Sequence, residues 1–306
     1  MIPKFYNQDN VGKLFNPRIS IVTDEALKTK FTPSVKTPKK VKLLLIDPQI
    51  DFIHTDGALC VPGAIDDTKR TIEFIFNNTE EITNISVSLD SHIPFQIFYP
   101  TWWNNEKGEH PTPFTVITLN DVKTGVWRPL IDPVNSLKYI ETLEQQSKKV
   151  LMIWPFHTMI GSTGQAVEPS LMEAIIYHSV AKRSQPNFLS KGTIPQTEHY
   201  SILEPEVKVP THPMGGINTT FLDDLAKFDL IYIAGQAKSH CVLETMYSIT
   251  RYFDKEPDVL NKIRFLMDCT SSVQHPDIDF DSITNTELKK MESKGVKLVT
   301  SLDAIE

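Results

Sequence analysis

Short, nearly continuous apolar runs punctuate the chain at 41–46 (VKLLLI), 85–89 (ISVSL), 150–153 (VLMI), 230–234 (LIYIA), 263–267 (IRFLM) and 296–299 (VKLV). Runs of this length without polar alternation suit strands buried on both faces of a parallel sheet. Between them, apolar residues recur at helical spacing over 66–76, 165–178, 239–253 and 284–294. In the third of these, Val242, Met246, Ile249 and Phe253 form one stripe, and Ser239 stands where an N-cap is wanted. Strands alternating with helices predict an α/β fold of the three-layer α/β/α type around a mostly parallel central sheet.

Two departures from the alternation define the organisation. Residues 1–40 mix Pro3, Pro17, Pro33 and Pro38 with scattered lysines and single aromatics, without a sustained period. They read as an N-terminal arm lying on a domain that spans 41–306, and the acids Asp9, Asp24 and Glu25 argue against a transit peptide. Residues 100–147 hold Trp102, Trp103 and Trp127 between two predicted strands. A segment that long is an insertion with a packing or functional role. The proline-rich stretch 204–216, with Gly215 and Gly216, reads as a second surface loop.

Composition narrows the class. A chain of 306 residues with 40% hydrophobic and 23% charged content is not disordered, collagenous or a coiled coil. Its 31 Lys and Arg against 38 Asp and Glu leave a formal charge of −7, which offers no general attraction for a phosphate backbone. No apolar stretch nears the roughly 20 residues that span a bilayer, and the first thirty lack the apolar run of a signal peptide. Cys60, Cys241 and Cys269 are odd in number, far apart and without a Cys-x-x-Cys pair, as in a reducing compartment. The expectation is a soluble cytoplasmic protein without nucleic-acid or membrane partners.

Ligands of a parallel sheet bind beyond the carboxyl ends of its strands, so the residues after each apolar run carry the chemistry. The run at 41–46 is followed by Asp47 and Asp51, that at 85–89 by Asp90 and His92, that at 150–153 by His157, and that at 230–234 by Gly235 and Cys241. Singly, each has a structural reading: an aspartate capping a turn, a histidine satisfying a carbonyl, a cysteine acting as a small buried hydrophobe. Together they converge on acids, imidazoles and a thiol. Cys241 falls at the start of a predicted helix, where free amides and the helix dipole favour a thiolate, and amides over 235–241 could hold an oxyanion. Asp47 or a lysine could serve as its base or cationic neighbour. Asp90 and His92, two residues apart, would form a three-ligand metal site if His157 joined them; equally, Asp90 could simply hold His92 or a turn amide.

The segments LLLIDPQIDF at 43–52, SLDSH at 88–92, WPFH at 154–157, SKG at 190–192 and AGQAKSHCV at 234–242 resemble, in order, the motifs of the isochorismatase-like cysteine hydrolases, in particular the nicotinamidase branch. The resemblance runs from about residue 41 to 303, broken by the two insertions. It implies a catalytic triad of Asp47, Lys191 and Cys241, an oxyanion hole of the Ala237 and Cys241 amides, and a cis peptide bond before Ala237. It also implies a divalent metal, zinc by family habit, on Asp90, His92 and His157; a small amide as substrate; and self-association into a homo-oligomer. Where many nicotinamidases place a second His, this chain has Gln96, and Lys238-Ser239-His240 replaces the usual residues before the nucleophile. Gln96 and Trp103 are candidate pocket residues, although Trp102 and Trp103 would equally anchor the insertion. Two rival readings are a metal-free relative hydrolysing another amide or a vinyl ether, and a catalytically silent scaffold.

Overall fold

The computed structural model describes residues 2–147 and 149–305. Its centre is a six-stranded sheet in which every pairing is parallel. In chain order the strands are β1 (Val41–Ile46), β2 (Asn84–Asp90), β3 (Asn187–Lys191), β4 (Leu230–Gly235), β5 (Ile263–Leu266) and β6 (Lys297–Val299). They lie side by side as β6-β5-β4-β1-β2-β3. The chain builds outward from β1 to one edge, then crosses to β4 and builds toward the other. The point where the order reverses, between β1 and β4, is where such sheets open a crevice at their carboxyl ends.

Side chains of β1 alternate between two cores, as the period of a strand requires. Leu43 and Leu45 pack with Ile72 and Ile75 of α2 (Ala64–Asn77) and with Leu171 and Ile175 of α3 (Pro169–Lys182). Leu44 and Ile46 face the opposite layer, formed by α4 (Thr219–Leu225), α5 (Leu243–Tyr252) and α6 (Phe280–Glu292). Burial on both faces explains the unbroken apolar run, each such side chain contributing about 1.5–3 kcal/mol.

The residues before β1 lie on the α2–α3 layer. Phe5, Val11, Val22 and Ala26 are buried in that core, and the Arg18 guanidinium sits 2.7 Å from Glu173 of α3. A short helix, α1 (Ile19–Ala26), forms within a stretch read as irregular; only its Val22 and Ala26 are buried, too few apolar contacts to show a period.

The run at 150–153 does not join the central sheet. Leu151–Met152 pairs antiparallel with Val116–Ile117, and Leu151 and Ile153 are buried in a separate core with Ile97, Phe98, Trp102, Trp103 and Ile117. The apolar run reports burial in the insertion's own core rather than in the sheet. The strand at that place in the sheet is β3, an edge strand whose Asn187, Phe188 and Ser190 are exposed, so it leaves no apolar run to read. Ser239 is also not the cap of α5: residues Lys238–Val242 form a wide turn ahead of the helix, and the Ser239 hydroxyl instead accepts from the Val273 amide. Among the described residues no helix is long and apolar enough to cross a membrane.

Candidate active site

β1 and β4 deliver Asp47 and Cys241 to the crevice between them. β4 runs against β1 as far as Gly235, where a Cβ would fall 2.0 Å from the Ile46 carbonyl oxygen and where φ is +124°. Only glycine allows the two strands to stay paired to their ends. The Gln236–Ala237 peptide that follows is cis, and the wide turn then carries Cys241 into α5. Asp47 lies just past β1, its backbone amide donating to Ser88 Oγ at 2.9 Å while that hydroxyl donates to Asp47 Oδ1 at 2.6 Å. Cys241 and Asp47 lie close enough for each to perturb the other's protonation.

Lys191, the last residue of β3, reaches across β2 to this pair. Its Nζ lies 3.0 Å from Asp47 Oδ2, 3.0 Å from Asp90 Oδ1 and 3.6 Å from Cys241 Sγ, and it donates to the His199 carbonyl at 2.8 Å. All four side chains are buried. Burial opposes the charge on Lys191, but Asp47 and Asp90 outweigh it and hold the ammonium above its ordinary pKa. Burial pushes the Asp47 carboxyl up, against the pull of Lys191. It also pushes the Cys241 thiol well up, with Lys191 opposing and the two carboxylates adding to the effect. The resting site sets a thiol that resists ionisation beside a buried carboxyl group, with the Lys191 ammonium next to both.

Asp90, His92 and His157 offer ligand atoms that all lie within 4.8 Å of one another, and all three residues are buried. His92 Nε2 is 2.9 Å and His157 Nε2 3.8 Å from Asp90 Oδ2. The other ring nitrogens point to carbonyls, His92 Nδ1 to Gly192 at 3.1 Å and His157 Nδ1 to Pro155 at 2.8 Å. A carbonyl can only accept, so each Nδ1 carries a hydrogen. Each Nε2 is thereby aimed at Asp90, where it can serve as a ligand atom when its lone pair is free or, as at His92, hydrogen-bond to Oδ2 when it carries a proton. This is the outer-shell arrangement that orients metal-binding histidines, and an oxygen with two imidazoles suits zinc or a similar divalent ion. Burial, helped by His92, lowers the His157 pKa to about 4, which keeps its lone pair available.

Gln49 and Gly192 fix this cluster. Gln49 Nε2 donates to the Asp90 carbonyl and its Oε1 accepts from the Asp90 amide, both at 2.7 Å. At Gly192, with φ +86°, a Cβ would stand 2.6 Å from Asp90 Oδ1 and 2.8 Å from His92 Cε1. Gly192→Ala should therefore displace both side chains and destabilise the fold by about 1–3 kcal/mol; urea denaturation and a zinc titration would both register the change.

The sulfur and the Asp-His-His trio border one cavity that opens to solvent. Phe52, Phe98, Trp154, Tyr200 and Val273 give it apolar walls, and Glu198, His199 and His240 add polar groups. His157 arrives on a loop tied down by Asp51, which accepts from the Thr158 amide at 2.6 Å. Gln96 and Trp103 are not among the lining residues. The Gln96 amide is fully buried and donates to the carbonyls of Gly192 and Ile194, and the Trp103 indole donates to the Ile97 carbonyl at 2.6 Å within the insertion core. Sequence reasoning singled out neither Ser88 nor Gln49 nor His199. The first two sit inside the recognised segments SLDSH and DPQ, whereas His199 lies in no motif.

No protein-family model matches the chain, and no curated protein matches it significantly in sequence. Solved structures do match. The Acinetobacter baumanii nicotinamidase/pyrazinamidase superposes with a TM-score of 0.55 at 18% identity, over 88% of this chain and 100% of its own. The yeast nicotinamidase bound to the inhibitor nicotinaldehyde gives 0.57 at 18% identity, over 85% and 99%. The Pyrococcus horikoshii pyrazinamidase in complex with zinc gives 0.50 at 20% identity, over 86% and 99%. The chain has the α/β fold of these structures.

Proposed function

We propose that the protein is a metal-containing cysteine amidohydrolase that converts nicotinamide and water to nicotinate and ammonia. The observation that carries this reading is the position of Lys191, whose single ammonium lies 3.0 Å from Asp47, 3.0 Å from Asp90 and 3.6 Å from the Cys241 sulfur. It ties a nucleophile and its base to an ion-holding trio, a combination that a solvated surface lysine would not create. The likeness in fold to nicotinamidase and pyrazinamidase structures supports the substrate class.

In this mechanism Asp47 accepts the thiol proton as sulfur attacks the amide carbon, and Lys191 stabilises the thiolate as it forms. The amides of Ala237 and Cys241 hold the negative oxygen of the tetrahedral adduct. Asp47 returns the proton to the departing nitrogen, the C–N bond breaks, and ammonia leaves a thioester on Cys241. Asp47 then takes a proton from water, whose oxygen attacks the thioester; the C–S bond breaks, the acid is released and the proton returns to sulfur. Asp90, His92 and His157 would hold the divalent ion, zinc being favoured by the donor set. Bound there, the ion would supply a Lewis-acid contact for the ring nitrogen of the substrate, orienting its carboxamide toward sulfur.

Ammonia release from nicotinamide, pyrazinamide and an aliphatic amide tests the reading. The two heteroaromatic amides should be hydrolysed at least about 100-fold faster than the aliphatic one, and chelation should lower their turnover by a similar factor, with zinc restoring it. Activity indifferent to chelation and to the ring nitrogen would instead favour a metal-free relative.

A further inference from the structure

Several hydrogen-bonding groups of the cavity wall are already committed within the protein. Glu198 accepts from the Tyr139, Trp154 and Tyr200 side chains. His240 Nδ1 is 2.9 Å from Ser239 Oγ, and the Cys241 sulfur is 3.6 Å from Lys191 Nζ. His199 stands apart. It is 6% exposed, lines the cavity beside the Asp90-His92-His157 trio, and neither of its ring nitrogens has a hydrogen-bond partner. Its backbone is fixed, because its carbonyl holds Lys191. Burial, with Lys191 and His92 adding, lowers its pKa to about 3, while Asp90 pulls the other way. The ring is therefore neutral, with one N–H to donate and one lone pair to accept.

A buried imidazole with both nitrogens unpaired is costly to fold unless something enters the cavity to pair it. Among the described residues, the trio whose ligand atoms lie within 4.8 Å of one another does not include His199, so it does not stand as a direct ligand. Gln96, which stands where many nicotinamidases place a second His, is consumed by backbone carbonyls. We infer that His199 is an outer-shell residue of the metal site, its imidazole hydrogen-bonded to water carried by the ion on Asp90, His92 and His157. This inference rests on the metal-site part of the proposed function, and it concerns ion retention rather than amide chemistry. An outer-shell partner of this kind orients the bound water and raises the affinity of the site.

Zinc affinity measured by competition with a chromophoric chelator tests the role without any substrate. His199→Phe keeps a flat ring and leaves the carbonyl for Lys191, but removes both nitrogens; it should weaken zinc binding about 10- to 100-fold. His199→Gln restores a donor and an acceptor and should recover affinity to within about threefold of the parent. Thermal unfolding with chelator present separates this from damage to the fold: metal-free His199→Phe should melt no lower than the metal-free parent, since it replaces an unpaired polar group by an apolar one. Unchanged zinc affinity in His199→Phe, a parent chain that binds no zinc, or a metal-free variant that melts well below the parent would each overturn the inference. Loss of amidase activity alone would bear on the proposed reaction and leave these measurements untouched.

Discussion

Cys241→Ala should lower ammonia release by about 10⁴-fold or more while leaving the fold and zinc content intact. The substitution removes the one atom that can form the thioester, and neither Asp47 nor Lys191 offers a replacement. Cys60 and Cys269 provide the control. Neither lines the cavity, and burial raises the pKa of both thiols. Cys60→Ser should therefore retain near-parental turnover. Mass spectrometry of the parent quenched during turnover should find an acyl group on Cys241 alone. Residual activity in Cys241→Ala above about 1% of the parent would rule out the thioester route.

Lys191→Met should be severe in a second way, because it removes the cation shared by Asp47 and Asp90. Two carboxylates would then remain buried without their main counter-charge, a situation that costs about 3–5 kcal/mol in comparable cores. The pH dependence has a definite sign. Burial already raises the Asp47 pKa above its unfolded value, and loss of Lys191, which pulls the other way, raises it further. A carboxyl with a raised folded pKa favours the native state below its unfolded pKa, and that contribution is lost as pH rises through the folded value. Metal-free Lys191→Met should thus lie closest to the parent near pH 5 and fall progressively behind it toward pH 8. Urea denaturation across that window measures the gap. A deficit that shrinks with rising pH would contradict the assignment of Lys191 as the common counter-ion.

The doubly wound sheet could be read from the chain because β1 and β4 are buried on both faces, and burial of that kind leaves uninterrupted apolar runs. β3 could not be read in the same way. As an edge strand it shows Asn187, Phe188 and Ser190 to solvent, and only the motif ending in Lys191 and Gly192 marked the place. The run at 150–153 misled for the opposite reason, since an insertion large enough to bury Trp103 and Ile117 produces apolar stretches of its own. At the site, strand-end logic identified Asp47, Asp90, His92 and Cys241 as residues that meet, and it placed His157 there although the segment carrying it is a loop off the insertion. What strand ends cannot show is which polar groups are spent on internal bonds. Gln96 and His199 look equivalent in a sequence, yet one is bonded to two carbonyls and the other has both nitrogens open.

The bridge from Lys191 to both Asp47 and Asp90 has an implication for how such a site can change over generations. On the proposed function, nucleophile and ion shelf would draw on a single positive charge, so neither could drift alone. A lineage that abandoned the ion while keeping Asp90 would be left with a spare anion competing for the ammonium that the thiolate needs. Exchange of Asp90 for an uncharged residue would therefore have to come before, or together with, any erosion of His92 and His157.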